Sequence, residues 1–95
     1  MINKLKISVV FLLTGNWSFL RMAKDDKFKE ALGNRLRSLR LDAGFTLVEL
    51  AEKSGVSYRT IIDIEKADTR PSVEVIRLLC NALKYPLPDF FKFKY

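Results

Sequence analysis

The twenty residues 46–65, TLVELAEKSGVSYRTIIDIE, constrain the fold more than any other stretch of this sequence. They hold two short helical patterns joined by a turn at Ser54-Gly55-Val56. Thr46 stands three residues before Glu49, so hydroxyl and carboxylate can each satisfy an orphan amide of the first helical turn. Leu47, Leu50 and Ala51 follow as one apolar face at helical spacing. Ser57 is a second N-cap, and Ile61 and Ile64 carry the apolar face of the helix it opens. Gly55 suits the positive φ that a tight helix-to-helix turn requires. The small side chain of Ala51 lets the two helices cross closely.

This arrangement reads as a helix-turn-helix. With its surroundings it resembles the phage-repressor (Xre-type) helix-turn-helix family. The matching pieces are LGNRLRSLR, AGFT, ELAEKSGVS, IIDIEK and RPSVEVIRLLCNAL, in the family's order and spacing over a little more than half of the chain. The resemblance implies an all-α, five-helix repressor-like DNA-binding domain. It also implies a partnership between Arg40 and Glu65. Three positions depart from the family pattern. Leu47 stands where Gln usually touches a DNA phosphate and braces the recognition helix. Ala67 replaces the glycine of Glu-x-Gly, and Lys84 follows Ala-Leu where glycine is usual.

Charge and chemistry agree with a binding protein. Lys and Arg number 17 against 11 Asp and Glu, a net charge of +6 on 95 residues, which favours an anionic partner such as nucleic acid. A chain of this length holds one domain with a single small core, and dimerisation would add to it. Histidine is absent, no glycine-rich phosphate loop is present, and no Cys or carboxylate set has metal spacing. An enzyme is therefore not expected, nor a metal or cofactor. The single Cys80 falls in an apolar helical pattern and reads as core filler, with a reducing cytoplasm as its natural setting.

The chain divides into an N-terminal extension (1–24), the DNA-binding domain (25–91) and a short tail (92–95). In the extension, Lys4 and Lys6 precede the apolar run Ile7-Ser8-Val9-Val10-Phe11-Leu12-Leu13, and Thr14-Gly15-Asn16 reads as a turn. The run is rich in β-branched residues and reads as a strand. Two other readings stay open: a signal-peptide-like start without a small-residue cleavage site, and translation from Met22. The run is too short to span a bilayer.

Asp25-Asp26-Lys27 then introduces a helix over residues 28–43, with Phe28, Leu32, Leu36, Leu39 and Ala43 on its buried face. Gly44 is placed as its C-terminal cap and Phe45 as folding back on the core. Arg40 and Glu65 each sit on the rim of an apolar stripe, where the two helices are expected to bring them together. Ser72 caps a helix over residues 73–83 whose buried face is Val75, Ile76, Leu79, Ala82 and Leu83. Pro86 ends that pattern, and Pro88 can open one more helical turn at its first position. The tail Phe91-Lys92-Phe93-Lys94-Tyr95 alternates like a strand. Pairing of the two termini into a short β element is thus expected alongside the five helices.

At about 100° per residue, the helix after Ser57 turns Ser57, Ile61 and Ile64 inward and Arg59, Ile62, Asp63 and Lys66 outward, with Tyr58 exposed at its first turn. The start of the second helix of such a motif enters the major groove. Arg59 can grip guanine O6 and N7, Tyr58 can pack on a thymine methyl or donate to a phosphate, and Ile62 can meet a thymine methyl or mark a surface that binds protein instead. Asp63 can accept from cytosine N4, hold Arg59 in its reading rotamer, or form a simple surface ion pair with it. Phosphate contacts are expected from Thr46, Ser57, Thr60, Lys66, Thr69 and Arg70, which fix register without reading sequence.

The reading is a sequence-specific transcriptional regulator that binds double-stranded DNA, as a homodimer on a near-palindromic operator. Two rivals remain. One is an antitoxin-like module whose main partner is a protein. The other is a regulator anchored to a membrane through residues 5–13, which the shortness of that run opposes.

Overall fold

The structure, a computed structural model, describes the backbone of residues 17–94 and the side chains of residues 26–94. Among the described residues five helices follow one another: α1 (Trp17–Asp42), α2 (Leu47–Ser54), α3 (Tyr58–Glu65), α4 (Val73–Leu83) and α5 (Leu87–Phe90). Among the described residues there is no strand. The run at residues 7–13 and the turn after it lie outside the described residues.

Helix α1 begins eleven residues before the expected start at Phe28. Residues 17–27 contain no Gly or Pro, so nothing in them stops a helix from continuing. The acidic pair read as a start signal therefore sits inside α1, where Asp26 meets Lys29 at 3.6 Å. The other end of α1 closes as a Schellman motif. Gly44 takes φ +76°, its N–H donates to the Leu41 carbonyl at 3.0 Å, and Phe45 N–H donates to the Arg40 carbonyl at 3.1 Å. Phe45 then packs against the core.

The same motif closes α3 and α4, with unusual residues at the left-handed position. Ala67 has φ +61°, with its N–H on the Ile64 carbonyl and Asp68 N–H on the Asp63 carbonyl. Lys84 has φ +55°, with its N–H on the Asn81 carbonyl and Tyr85 N–H on the Cys80 carbonyl. These are two of the three positions at which the sequence departs from the repressor pattern. The backbone keeps the conformation that suits glycine although the glycines are gone.

The core is Leu32, Leu36, Leu50, Val56, Ile61, Ile64, Ile76, Leu79, Cys80 and Phe90. Phe28, Leu39, Leu47, Ala51, Val75, Ala82 and Leu83 pack around it, half-buried. Burial raises the Cys80 thiol above its ordinary pKa, as an apolar site does. Two residues assigned to the interior are exposed. Ala43 lies where the chain reverses at Gly44, and Ser57 sits outside α3 as its cap.

The C-terminal end is helical and folded back instead of extended. Pro86 caps α5, so Pro88 takes its second position and not its first. Lys92 N–H bonds the Asp89 carbonyl and Phe93 N–H bonds the Phe91 carbonyl, which turns the tail toward α1. The Phe93 ring then stacks on Phe28 at 5.9 Å. Aromatic burial against α1 outcompetes strand pairing here, which corrects the expectation for residues 91–94. Arg35 locks this end in place. Its Nε donates to the Phe90 carbonyl (3.2 Å), its Nη2 to the Asp89 carbonyl (2.9 Å) and the Tyr85 hydroxyl (2.7 Å), and the guanidinium lies over the Tyr85 ring.

Candidate nucleic-acid interface

Helices α2 and α3 form the helix-turn-helix, and each cap is built by the residues that lead into it. Thr46 Oγ1 accepts from Glu49 N–H at 3.1 Å while Thr46 N–H donates to Glu49 Oε1 at 3.0 Å, a complete capping box. The bond from the Thr46 amide, with the Thr46 hydroxyl as the second cause, holds the Glu49 carboxyl below its ordinary pKa. Gly55 takes φ +76° and donates to the Ala51 carbonyl at 3.0 Å. Ser54, buried in the turn, accepts from Val56 N–H at 3.1 Å. Ser57 caps α3 by accepting from Thr60 N–H at 3.1 Å, and its hydroxyl meets that of Thr60 at 2.7 Å.

Helix α3 is braced from behind at both levels of its inner face. Ile61 and Ile64 are fully buried. Gly33 of α1 lies so close that a Cβ there would stand 2.3 Å from the Ile64 carbonyl oxygen. Glu65 meets Arg40 in a two-pronged pair, Nε to Oε2 at 2.8 Å and Nη2 to Oε1 at 3.0 Å, with both side chains 9% exposed. The third arm of Arg40, Nη1, donates to the Phe45 carbonyl at 2.9 Å. One guanidinium thus joins α1, the α1–α2 turn and the end of α3. Donation to the Glu65 carboxylate is the main reason the Arg40 pKa lies above its ordinary value.

The outer face of α3 is left to solvent. Tyr58 is exposed, and the Arg59 side chain is 78% exposed with its Nε 3.3 Å from Asp63 Oδ1. Asp63 is recessed, at 28% exposure, and Lys66 is exposed. Ile62, expected to point outward, is half-buried, so its outer surface is smaller than the helical projection suggests. Thr69 is half-buried and Arg70 exposed in the loop after α3.

The structure therefore brings Tyr58, Arg59, Ile62 and Asp63 onto one helix, with Lys66 as its C-terminal cap. Ser57 and Thr60 sit at its start and Thr46 at the start of α2. The close approach at Gly33 and the lock made by Arg35 carry no signal in the local sequence pattern. Leu47, in the place of the usual Gln, packs against the core, so the start of α2 offers backbone amides but no side-chain amide.

The family model described as helix-turn-helix, HTH_3, matches residues 36–90, more than half of the chain. The chain belongs to the HTH_3 helix-turn-helix family. It is 36% identical over 59 residues to the transcriptional regulator ClgR of Mycobacterium tuberculosis, a match covering 62% of this chain and 53% of that one. It thus spans about half the length of that relative. The crystal structure of the clp gene regulator ClgR from C. glutamicum superposes with a TM-score of 0.61 at 42% identity, over 65% of this chain and 80% of that one. The restriction-modification controller protein C.AhdI from Aeromonas hydrophila gives a TM-score of 0.66 at 28% identity, over 68% of this chain and 98% of that one. In this HTH_3 domain, no helix of the described residues is long and apolar enough to cross a membrane.

Proposed function

We propose that this HTH_3 protein is a transcriptional regulator that binds double-stranded DNA by sequence, as a homodimer on a near-palindromic operator in the cytoplasm. One observation carries the reading. The first turn of α3 presents Tyr58 and Arg59 to solvent, while every inner contact of that helix is buried or paired. A helix held rigidly from behind, with an exposed guanidinium at its start that Asp63 contacts only at Nε, suits insertion into the major groove.

The two roles of contact divide along the motif. Arg59 spans guanine O6 and N7, and Tyr58 and the outer edge of Ile62 meet thymine methyls. Phosphates are held by Lys66, Thr69 and Arg70, which position the domain. The hydroxyls of Ser57 and Thr60 share one hydrogen bond between them, which leaves one O–H to donate to a phosphate. At Thr46 the hydroxyl and amide are both engaged by Glu49, whose carboxylate opposes an anion there. The phosphate contact near Thr46 therefore falls to the amides of Leu47 and Val48, which have no intrahelical acceptor. A dimer would place two α3 helices about one DNA turn apart, roughly 34 Å.

Selection from random oligonucleotides tests the reading, followed by affinity measurements across a salt series. Each phosphate neutralised should add about 0.9 to the slope of log affinity against log salt. Arg59→Ala should cost about 1–3 kcal/mol and relax one base pair of the selected site, whereas Arg70→Ala should weaken all duplexes alike. Recovery of no preferred site would reject the proposal.

A further inference from the structure

We infer that Asp63 sets the sequence specificity of the interface without reading a base itself: it holds Arg59 in its guanine-gripping geometry and repels DNA where no guanine is present. The inference rests on the proposal that Arg59 enters the major groove.

Three features of the pair lead to it. The contact is one helical turn long and runs from Asp63 Oδ1 to Arg59 Nε at 3.3 Å. The carboxylate therefore occupies the Nε edge of the guanidinium and leaves the end formed by the two Nη groups, the end that can span O6 and N7. The two side chains also differ in depth, Asp63 at 28% exposure and Arg59 at 78%. The carboxylate is the recessed anchor and the guanidinium the projecting tip. Finally, an exposed pair one turn apart on a helix adds little to folding, so stability gives it no strong reason to exist.

Charge supplies the discrimination. With guanine in place, the guanidinium stays between the carboxylate and the acceptors on the base edge, and the negative charge of Asp63 remains compensated. At any other base pair the fork loses one or both acceptors. Once Arg59 turns away, an unpaired carboxylate faces the negative potential of the duplex. Asp63 thus raises the free energy of wrong complexes more than it lowers that of the right one, which is how specificity is gained at the expense of general affinity.

The test uses the full chain and the duplex selected for it, at one fixed salt concentration. Dissociation constants are measured for that site, for the site with its Arg59-dependent base pair replaced, and for an unrelated duplex. The proteins are wild type, Asp63→Ala, Arg59→Ala and the double variant. Asp63→Ala should tighten binding to the unrelated duplex by about 2- to 5-fold, the effect of removing one nearby like charge. It should lower the preference for guanine at that base pair on the order of tenfold. In the Arg59→Ala background, removing Asp63 should leave base preference untouched. Asp63→Ser should behave as Asp63→Ala does, and both should melt near wild type. A uniform change of all three affinities would overturn the inference. So would a preference lost at a base pair other than the one Arg59→Ala relaxes, because Asp63 would then be reading a base directly. If Arg59→Ala leaves every preference intact, the role of Arg59 itself fails, a result separate from either of these.

Discussion

Arg40 and Glu65 offer the sharpest test of how the interface is held, because one guanidinium serves three elements. Glu65→Ala removes both carboxylate contacts, at 2.8 and 3.0 Å, and leaves Arg40, 8% exposed, with the Phe45 carbonyl as its remaining partner in the set. Breaking a buried pair on one side costs about 3–5 kcal/mol, and the residual exposure of the pair favours the lower end of that range. A domain of this size has roughly 5–10 kcal/mol of stability in total, so the variant should retain about half of it. At roughly 4–8 °C per kcal/mol, the melting temperature should drop by more than about 10 °C. Arg40→Ala should cost somewhat more, since it also frees the Phe45 carbonyl. Replacing both residues together, as Arg40→Met with Glu65→Leu, leaves no charge unpaired and should recover a large part of the loss. Thermal and urea melts of both alanine variants and of the double alanine variant close the cycle. The double loss should fall short of the sum by about 2–3 kcal/mol. Losses additive to within about 0.5 kcal/mol would refute the reasoning.

Other outcomes follow from the backbone and the caps. Gly33→Ala forces a methyl group against the Ile64 carbonyl, which cannot move without shifting α3; a loss of about 1–3 kcal/mol in urea melts is expected, with weakened DNA binding. Ala67→Gly and Lys84→Gly each relieve a left-handed side chain and should stabilise by about 0.5–1 kcal/mol after the entropy of glycine is counted, measured as a higher melting temperature. Glu49 and Glu74 have folded pKa values below their unfolded ones, the first through Thr46 and the second through Arg77. Their contribution is therefore present above the unfolded carboxylate value and disappears as pH falls through the folded one, so Glu49→Gln should flatten the acid limb of a stability-against-pH curve.

How much of this was legible in the sequence depends on how far each signal reaches along the chain. The caps at Thr46, Ser57 and Ser72 and the turns at Gly44 and Gly55 are settled within four residues of one another, and those were readable. The buried faces of α2, α3 and α4 repeat within a single helix and were readable too. The start of α1 was not, because Asp25-Asp26 is as acceptable inside a helix as before one, and only the absence of a breaker upstream decides it. The alternation of Phe91, Phe93 and Lys92 carried a true signal of burial for Phe93, a false one for the exposed Phe91, and a false one of extension. Burial against Phe28 needs no strand, and the pattern cannot distinguish the two. At the interface, projection around the helix axis placed Arg59 and Lys66 outside correctly. It misjudged Ile62 and Ser57, because exposure there depends on the neighbouring elements and on where the helix begins.

The contacts that fix α3 in space were the least readable, for a reason that bears on function. Gly33 and Ile64, or Arg35 and Phe90, meet across most of the domain, and neither residue type announces a distant partner. Yet these contacts determine the direction in which Tyr58 and Arg59 project. A single rotation of α3 about its axis would leave every cap and every local apolar repeat intact while moving Arg59 off the outer face. What prevents it is the missing Cβ at Gly33 beneath the Ile64 carbonyl, together with the two-pronged grip of Arg40 on Glu65 one residue later. The local sequence makes α3 a helix; the distant glycine and arginine make it a helix whose first turn faces outward.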